Sequence, residues 1–61
     1  MDEHVLAKWQ EIKNLVDELE LDVVKNAKGN ASAGVRARKG FRHMKTLLGE
    51  QIKLSLGANK K

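Results

Sequence analysis

The feature that most constrains the fold is an apolar seam in the first part of the chain. Apolar side chains recur there at alternating spacings of four and three residues, at Val5, Trp9, Ile12, Val16, Leu19 and Val23. This heptad spacing is typical of an amphipathic helix that buries one face against another helix. Further apolar residues widen the stripe beyond what one neighbouring helix covers: Leu6, Leu15 and Val24. The seam therefore predicts a helix over about residues 3–27 that packs into a bundle.

A second helix is predicted over about residues 31–56. Its apolar face follows the helical repeat and comprises Ala33, Ala37, Phe41, Met44, Leu48, Ile52 and Ser55. Between the helices, Gly29 suits the left-handed position after a helix end, and Asn30 is a good N-cap for the next helix. A turn at residues 28–30 would make the helices antiparallel, with a frayed basic tail at 57–61. A continuous helix through Gly29 is the alternative.

The small size of the chain makes self-association an expected part of the fold. The chain has 61 residues and no cysteine, so disulfides cannot stabilise it. A domain of this size buries only about 60% of its unfolded surface, which leaves a marginal core. We therefore predict a single all-α domain over residues 1–61, an antiparallel two-helix hairpin that assembles as a dimer or higher oligomer into a helical bundle. Its expected oligomer core comprises Val5, Trp9, Ile12, Val16, Leu19, Val23, Phe41, Met44 and Leu48.

The charge distribution divides the chain into two unlike halves. Residues 1–24 hold seven carboxylates against two lysines, a net charge of −5, and residues 25–61 hold ten lysines and arginines against one glutamate, a net charge of +9. Two helices of opposite charge attract each other, but that attraction leaves a positive excess unused. So steep an asymmetry indicates that the second half binds a polyanion.

The basic residues of the second helix concentrate opposite its predicted apolar face. No acidic residue lies between positions 25 and 49, whereas a solvated helix face usually mixes both signs of charge. We call this run of cations on one side of the helix the basic arc, and phosphate binding is its simplest function. The guanidinium group of arginine can donate two parallel hydrogen bonds to phosphate oxygens. The backbone N–H groups at the start of the second helix, after Gly29, could also bind a phosphate. The predicted nucleic-acid-binding residues are Lys25, Lys28, Arg36, Arg38, Lys39, Arg42 and Lys45.

The sequence contains no recognisable catalytic, metal or cofactor site. His4 and His43 lie on different predicted helices without cysteine or a spaced carboxylate cluster, so we expect no metal. Ser32 and Ser55 have no nearby histidine base, and the acidic residues between 17 and 22 are read as a solvated face. Trp9 and Phe41, which could in principle stack on bases, are assigned to the core. We expect no enzyme, no cofactor and no small-molecule substrate.

The run from Lys28 to Gly40 carries a family resemblance. It reads KGNASAGVRARKG and resembles the signature K-G-N-x-A-A-G-T-R-x-R-K of the small bacterial linker-histone-like proteins of chlamydial type. The resemblance covers about residues 9–56, and Val35 stands where that signature has threonine. It implies a protein that binds DNA without sequence specificity and compacts it. Under this resemblance Arg36, Arg38 and Lys39 match the basic positions of the signature.

Two functional hypotheses follow from the sequence. The first is a nucleoid-associated, histone-like protein of the bacterial cytoplasm whose partner is duplex DNA, with RNA as the other polyanion. The second is an oligomeric coiled-coil adaptor whose basic helix docks an acidic protein. The one-sided basic arc favours nucleic acid. No apolar run is long enough for a membrane span or a signal peptide, so no membrane partner is expected.

Overall fold

The computed structural model describes residues 2–59, which form two helices and a turn, with no strand among them. Helix α1 spans Glu3–Ala27 and helix α2 spans Ala31–Ala58. The helices pack antiparallel along their whole length: Lys8 near the start of α1 contacts Glu50 near the end of α2, and Asp22 near the end of α1 contacts Arg36. The predicted all-α class and the packing of the two helices are confirmed.

The start of α1 is capped by an aspartate side chain. One carboxylate oxygen of Asp2 accepts hydrogen bonds from the backbone N–H groups of His4, at 2.9 Å, and Val5, at 3.2 Å. These amides have no carbonyl partner inside the helix, so the cap satisfies two otherwise orphaned donors. The sequence leaves either Asp2 or Glu3 as the cap, and the structure assigns this role to Asp2, with Glu3 in the first turn where negative charge is favoured.

The turn between the helices depends on Gly29 and Asn30. Gly29 has a φ of +100°, the left-handed region that glycine enters without steric cost. Its N–H donates to the carbonyl of Asn26 at 2.9 Å, and the side chain of Asn30 accepts from the N–H of Ala33 at 2.9 Å. The chain therefore turns here, as the Gly-Asn pair predicts, and the alternative of a continuous helix is wrong.

The seam between the helices is narrow and contains small residues on α2. The residues buried or half-buried along it include Val5, Lys8, Ile12, Leu15, Leu19 and Asp22 on α1, and Ala33, Ala37, Gly40, Met44, Leu47, Gln51, Leu54 and Ala58 on α2, with Gly34 buried beside Asn26. Both sets follow the spacing of three and four that is typical of coiled coils. A Cβ at position 40 would overlap the side chain of Leu19, so the glycine allows the two helices to approach closely.

The seam of α2 lies one residue earlier than the sequence predicts. The predicted face runs from Ala37 through Phe41, Leu48 and Ile52, whereas the packed positions after Ala37 are Gly40, Met44, Leu47 and Gln51. The prediction gives weight to side-chain size, but at the crossing point Leu19 of α1 fills the space that a glycine leaves open. Met44 is the one bulky residue that belongs to both sets.

The shift leaves a second row of large apolar residues uncovered. We call Trp9, Val16, Val23, Phe41, Leu48 and Ile52 the apolar face; each is between 41% and 62% exposed. Within the hairpin, the expectation that Trp9 and Phe41 are core residues is therefore wrong. Of the expected oligomer core, Ile12 and Leu19 are buried in the hairpin, and Val5 and Met44 are half-buried. The burial of the whole set in an oligomer stays a prediction.

The hairpin is one helix thick. Its principal extents are 49 × 15 × 11 Å, as expected for two helices that lie side by side in one layer. Its radius of gyration is 14.3 Å, against about 10.5 Å for a compact domain of this length. Domains are normally built from at least two packed layers, and a single layer cannot cover both of its faces.

Candidate nucleic-acid interface

The outer side of α2, turned away from α1, carries a row of cations. We call Arg38, Lys39, Arg42, Lys45 and Lys53 the basic ridge; all five are exposed. Helical periodicity places them together, because their spacings keep them on the side opposite the packed residues Ala37, Met44 and Leu47. Gly49 lies within the same row, and nothing approaches within 4 Å of where its Cβ would be.

No carboxylate of α2 neutralises the ridge, because the one acidic residue of that helix is engaged elsewhere. Glu50, the one acid of α2, accepts a hydrogen bond from Lys8 at 3.2 Å across the seam. This hydrogen bond, and a weaker one to Glu11, raise the pKa of Lys8 above its ordinary value of 10.5, although partial burial opposes the shift. Among residues 2–59, no ion pair involves a ridge cation. Within the described residues, the ridge is therefore a row of cations that no carboxylate pairs with.

Arg36 behaves differently from the other predicted phosphate-binding residues. Its Nε and Nη2 atoms lie 3.1 and 3.0 Å from Oδ1 of Asp22. Because the seam of α2 passes through Ala33, Ala37 and Gly40, position 36 lies at the edge of the helix contact and not on the outer side. Arg36 thus ties the two helices together near the turn, although its side chain remains 54% exposed.

The seven predicted binding residues fall into three places. Arg38, Lys39, Arg42 and Lys45 lie on the ridge, and Arg36 lies in the interhelical ion pair. Lys25 and Lys28 lie at the turn end of α1, both exposed, with Lys28 as the C-cap of that helix.

The sequence analysis missed Lys53, which extends the ridge by two further turns. Its spacing of eleven residues from Arg42 is a usable signal, because residues eleven apart lie on nearly the same side of a helix. This signal is easily missed because Glu50 lies three residues before Lys53, and a pair of opposite charges is typical of an ordinary solvated helix face. In the structure Glu50 accepts a hydrogen bond from Lys8 across the seam, and Lys53 is exposed.

Other kinds of site find no support in the part of the chain that the structure describes. Residues 2–59 contain no group of three or more potential metal-ligating side chains. Neither described helix is long and apolar enough to cross a membrane. Trp9 and Phe41 lie on the apolar face and not on the ridge, so the ridge offers cations without an aromatic stacking surface. Such a surface suits phosphates more than unpaired bases.

Of the comparisons with known proteins, the one with protein families gives a match. Residues 7–61 match the family model described as Histone H1-like protein Hc1. This match covers most of the chain, including the turn, the whole of α2 with its basic ridge and all but the first residues of α1. No curated protein and no solved structure matches the chain.

Proposed function

The chain belongs to the Hc1 family of histone H1-like proteins, and on that basis we propose that it binds duplex DNA through phosphate contacts, without sequence specificity. Proteins of this family are histone-like and associated with the nucleoid, and they are generally not enzymes. The observation that carries the proposal is the basic ridge, whose five cations are exposed and make no ion pair within the described residues.

The length and composition of the ridge fit a duplex backbone. From Arg38 to Lys53 it extends about 22 Å, at a rise of 1.5 Å per residue. A duplex carries one negative charge per about 1.7 Å of its axis, counting both strands, so the ridge lies along a length of duplex that carries about a dozen phosphates. Binding would be driven by the release of the counterions that these phosphates condense. The ridge has no asparagine or glutamine for base edges, which supports binding that does not depend on sequence.

One way to compact DNA is for one particle to contact more than one duplex segment. A single hairpin has one ridge, so we propose that the protein acts as a homodimer or a higher oligomer. The uncovered apolar face supports this proposal, because soluble monomers rarely leave a contiguous row of large apolar side chains in water. The adaptor hypothesis has no comparable support, and we do not propose it further.

The proposal is tested by measuring affinity for several unrelated duplexes, with a matched pair of variants. Arg42→Ala removes a cation from the centre of the ridge, and Lys13→Ala removes an exposed cation from the acidic helix α1. We expect similar affinities for every duplex, a similar weakening of each by Arg42→Ala, and little effect of Lys13→Ala. Equal effects of the two substitutions would mean that the ridge is not the contact surface. A strong preference for one duplex would contradict sequence-independent binding.

Lys8 is unsuitable as the control, although it is the other cation of residues 1–24. Its ammonium group bridges Glu11 and Glu50 and so joins the two helices. Replacing Lys8 would disturb the hairpin and confuse a structural effect with a binding effect.

A further inference from the structure

The apolar face has the area and shape of a surface on which a second copy of this chain can dock. The hairpin exposes 4887 Å², whereas a compact monomer of 6.8 kDa exposes about 4000 Å². The difference is close to the roughly 800 Å² that each partner buries in a standard interface. A groove of about 400 Å³ runs along this face between the helices, lined by residues that include Val16, Val23 and Phe41. The groove can accept protruding side chains from a second copy.

The two edges of the apolar face carry opposite charges. On the α1 edge, Asp17 and Glu20 border the groove, and Lys13 lies beside Trp9 and Val16, so these three residues give this edge a net charge of −1. On the α2 edge lie Arg38, three residues before Phe41, and Lys45, three residues before Leu48. Because residues three and four apart are neighbours on a helix surface, the carboxylates flank the apolar row on one side and the cations flank it on the other.

Two symmetric arrangements can bury this face against itself. In one, which we call the uncrossed arrangement, α1 of each copy lies on α1 of the other, so that carboxylates face carboxylates and cations face cations. In the other, which we call the crossed arrangement, α1 of each copy lies on α2 of the other, and Asp17 and Glu20 face Arg38 and Lys45 of the second copy. Only the crossed arrangement sets the net negative α1 edge against the positive α2 edge on both sides, and contact between edges of the same net charge disfavours the first arrangement.

We propose that the protein forms the crossed four-helix dimer, and that this dimer bridges two duplexes. In this arrangement the two-fold axis runs parallel to the helices, so both turns lie at the same end. The two α2 helices occupy diagonal corners, and the ridge cations that stay outside the interface, Lys39, Arg42 and Lys53, point in opposite directions on the two copies. In the uncrossed arrangement both ridges lie on the same edge and meet one duplex. The bridging part of the inference rests on the proposed DNA binding, whereas the crossed dimer does not.

The position of the two turns distinguishes the arrangements directly. The chain has no cysteine, so Ser32→Cys, at an exposed position in the first turn of α2, gives one site for a nitroxide label. With helices about 10 Å apart and a rise of 1.5 Å per residue, the labelled positions lie about 20 Å apart in the crossed dimer and about 40 Å apart in the uncrossed one. A single short distance by pulsed electron spin resonance supports the inference. The long distance, or no dipolar coupling at all, overturns it.

A matched pair of charge reversals tests the edges of the interface. Glu20→Lys brings a cation towards Arg38 and Lys45 of the second copy, so we expect sedimentation to show dimerisation weakened at least tenfold. Glu18→Lys makes the same change of charge on the same helix but lies outside the groove lining, and it should dimerise like the parent. In the uncrossed dimer Glu20→Lys would relieve a repulsion, so unchanged or tighter dimerisation contradicts the inference.

Bridging is measured by immobilising one duplex and asking whether bound protein retains a second, labelled duplex. We expect the parent and Glu18→Lys to retain the second duplex. Glu20→Lys should bind a single duplex and fail to retain another, although its net charge equals that of the control. If the parent binds one duplex and never retains another, the bridging inference is overturned and the proposed function stands. Failure of the parent to bind any duplex overturns the proposed function. The distance between the two spin labels still tests whether the dimer has the crossed arrangement.

Discussion

At the scale of single residues, two glycines in the same helix have opposite surroundings. A Cβ at Gly40 would overlap the side chain of Leu19, a buried residue of the seam. A Cβ at Gly49 would meet nothing within 4 Å. Both positions are helical, so alanine brings both the same gain in helix propensity, and only the packing differs.

This contrast gives a prediction for stability. Gly49→Ala should raise the free energy of unfolding by about 1 kcal/mol, because alanine loses less conformational freedom on folding than glycine. Gly40→Ala should lower it by about 1 kcal/mol, because overpacking of a core costs about 1–3 kcal/mol and outweighs the same gain. Chemical denaturation followed by circular dichroism measures both. If both variants gain stability equally, the close approach at Gly40 does not exist.

At the scale of elements, the ends of both helices follow from local sequence. Asp2, Gly29 and Asn30 have the chemistry that their positions need, so the sequence alone predicts the caps and the turn. Helix α2 extends to Ala58, two residues past the predicted end, because Gly57 keeps a helical conformation and the N–H of Asn59 still finds the carbonyl of Ser55 at 3.2 Å. Lys60 and Lys61, the end of the predicted frayed tail, lie outside the described residues.

The side on which α2 packs could not be predicted in the same way. Two apolar rows run along α2 about 100° apart, one through Leu47 and Leu54 and one through Leu48 and Ile52. Their hydrophobicity is similar, so periodicity cannot choose between them. The choice depends on Gly40 meeting Leu19, which is a contact between residues far apart in sequence. For the same reason the sequence places Arg36 on the binding surface, although it is paired with Asp22.

The cap of α2 offers a test at this scale. The side chain of Asn30 accepts from the N–H of Ala33, and Asn30→Ala leaves that amide without a side-chain acceptor at the helix start. We expect the free energy of unfolding to fall by about 1 kcal/mol. Asn30→Asp keeps an acceptor and should retain most of the stability. Equal losses in both variants would show that the cap contributes little to the turn.

At the scale of the whole molecule, the structure separates the residues that fold the hairpin from those that would join two copies. Ile12 is 3% exposed, whereas Val16, four residues later, is 48% exposed on the apolar face. The seam and the apolar face are thus distinct surfaces. Sequence periodicity merges them into one stripe because both lie on the same half of α1.

Aspartate at these two positions should have different effects. Ile12→Asp buries an unpaired charge and should abolish the helical signal at every protein concentration. Val16→Asp should retain a helical hairpin but lose self-association. The melting temperature of the parent should rise with protein concentration by mass action, and that of Val16→Asp should not. A parent whose melting temperature is independent of concentration would show that the apolar face remains uncovered in solution.

The central claim is that the basic ridge binds the phosphates of duplex DNA, and the salt dependence of binding tests it most directly. The measurement is the slope of log affinity against log salt concentration for the parent and for a variant with alanine at Lys39, Arg42 and Lys53, the three ridge cations outside the proposed dimer interface. If each of these three cations neutralises one phosphate, the slope should become shallower by about 2.7 in each bound hairpin, at about 0.9 for every phosphate that the variant leaves unneutralised. Helicity should change little, because alanine is an excellent helix former. An unchanged slope and affinity in the variant would contradict the claim, because the ridge would then be only a solvated face.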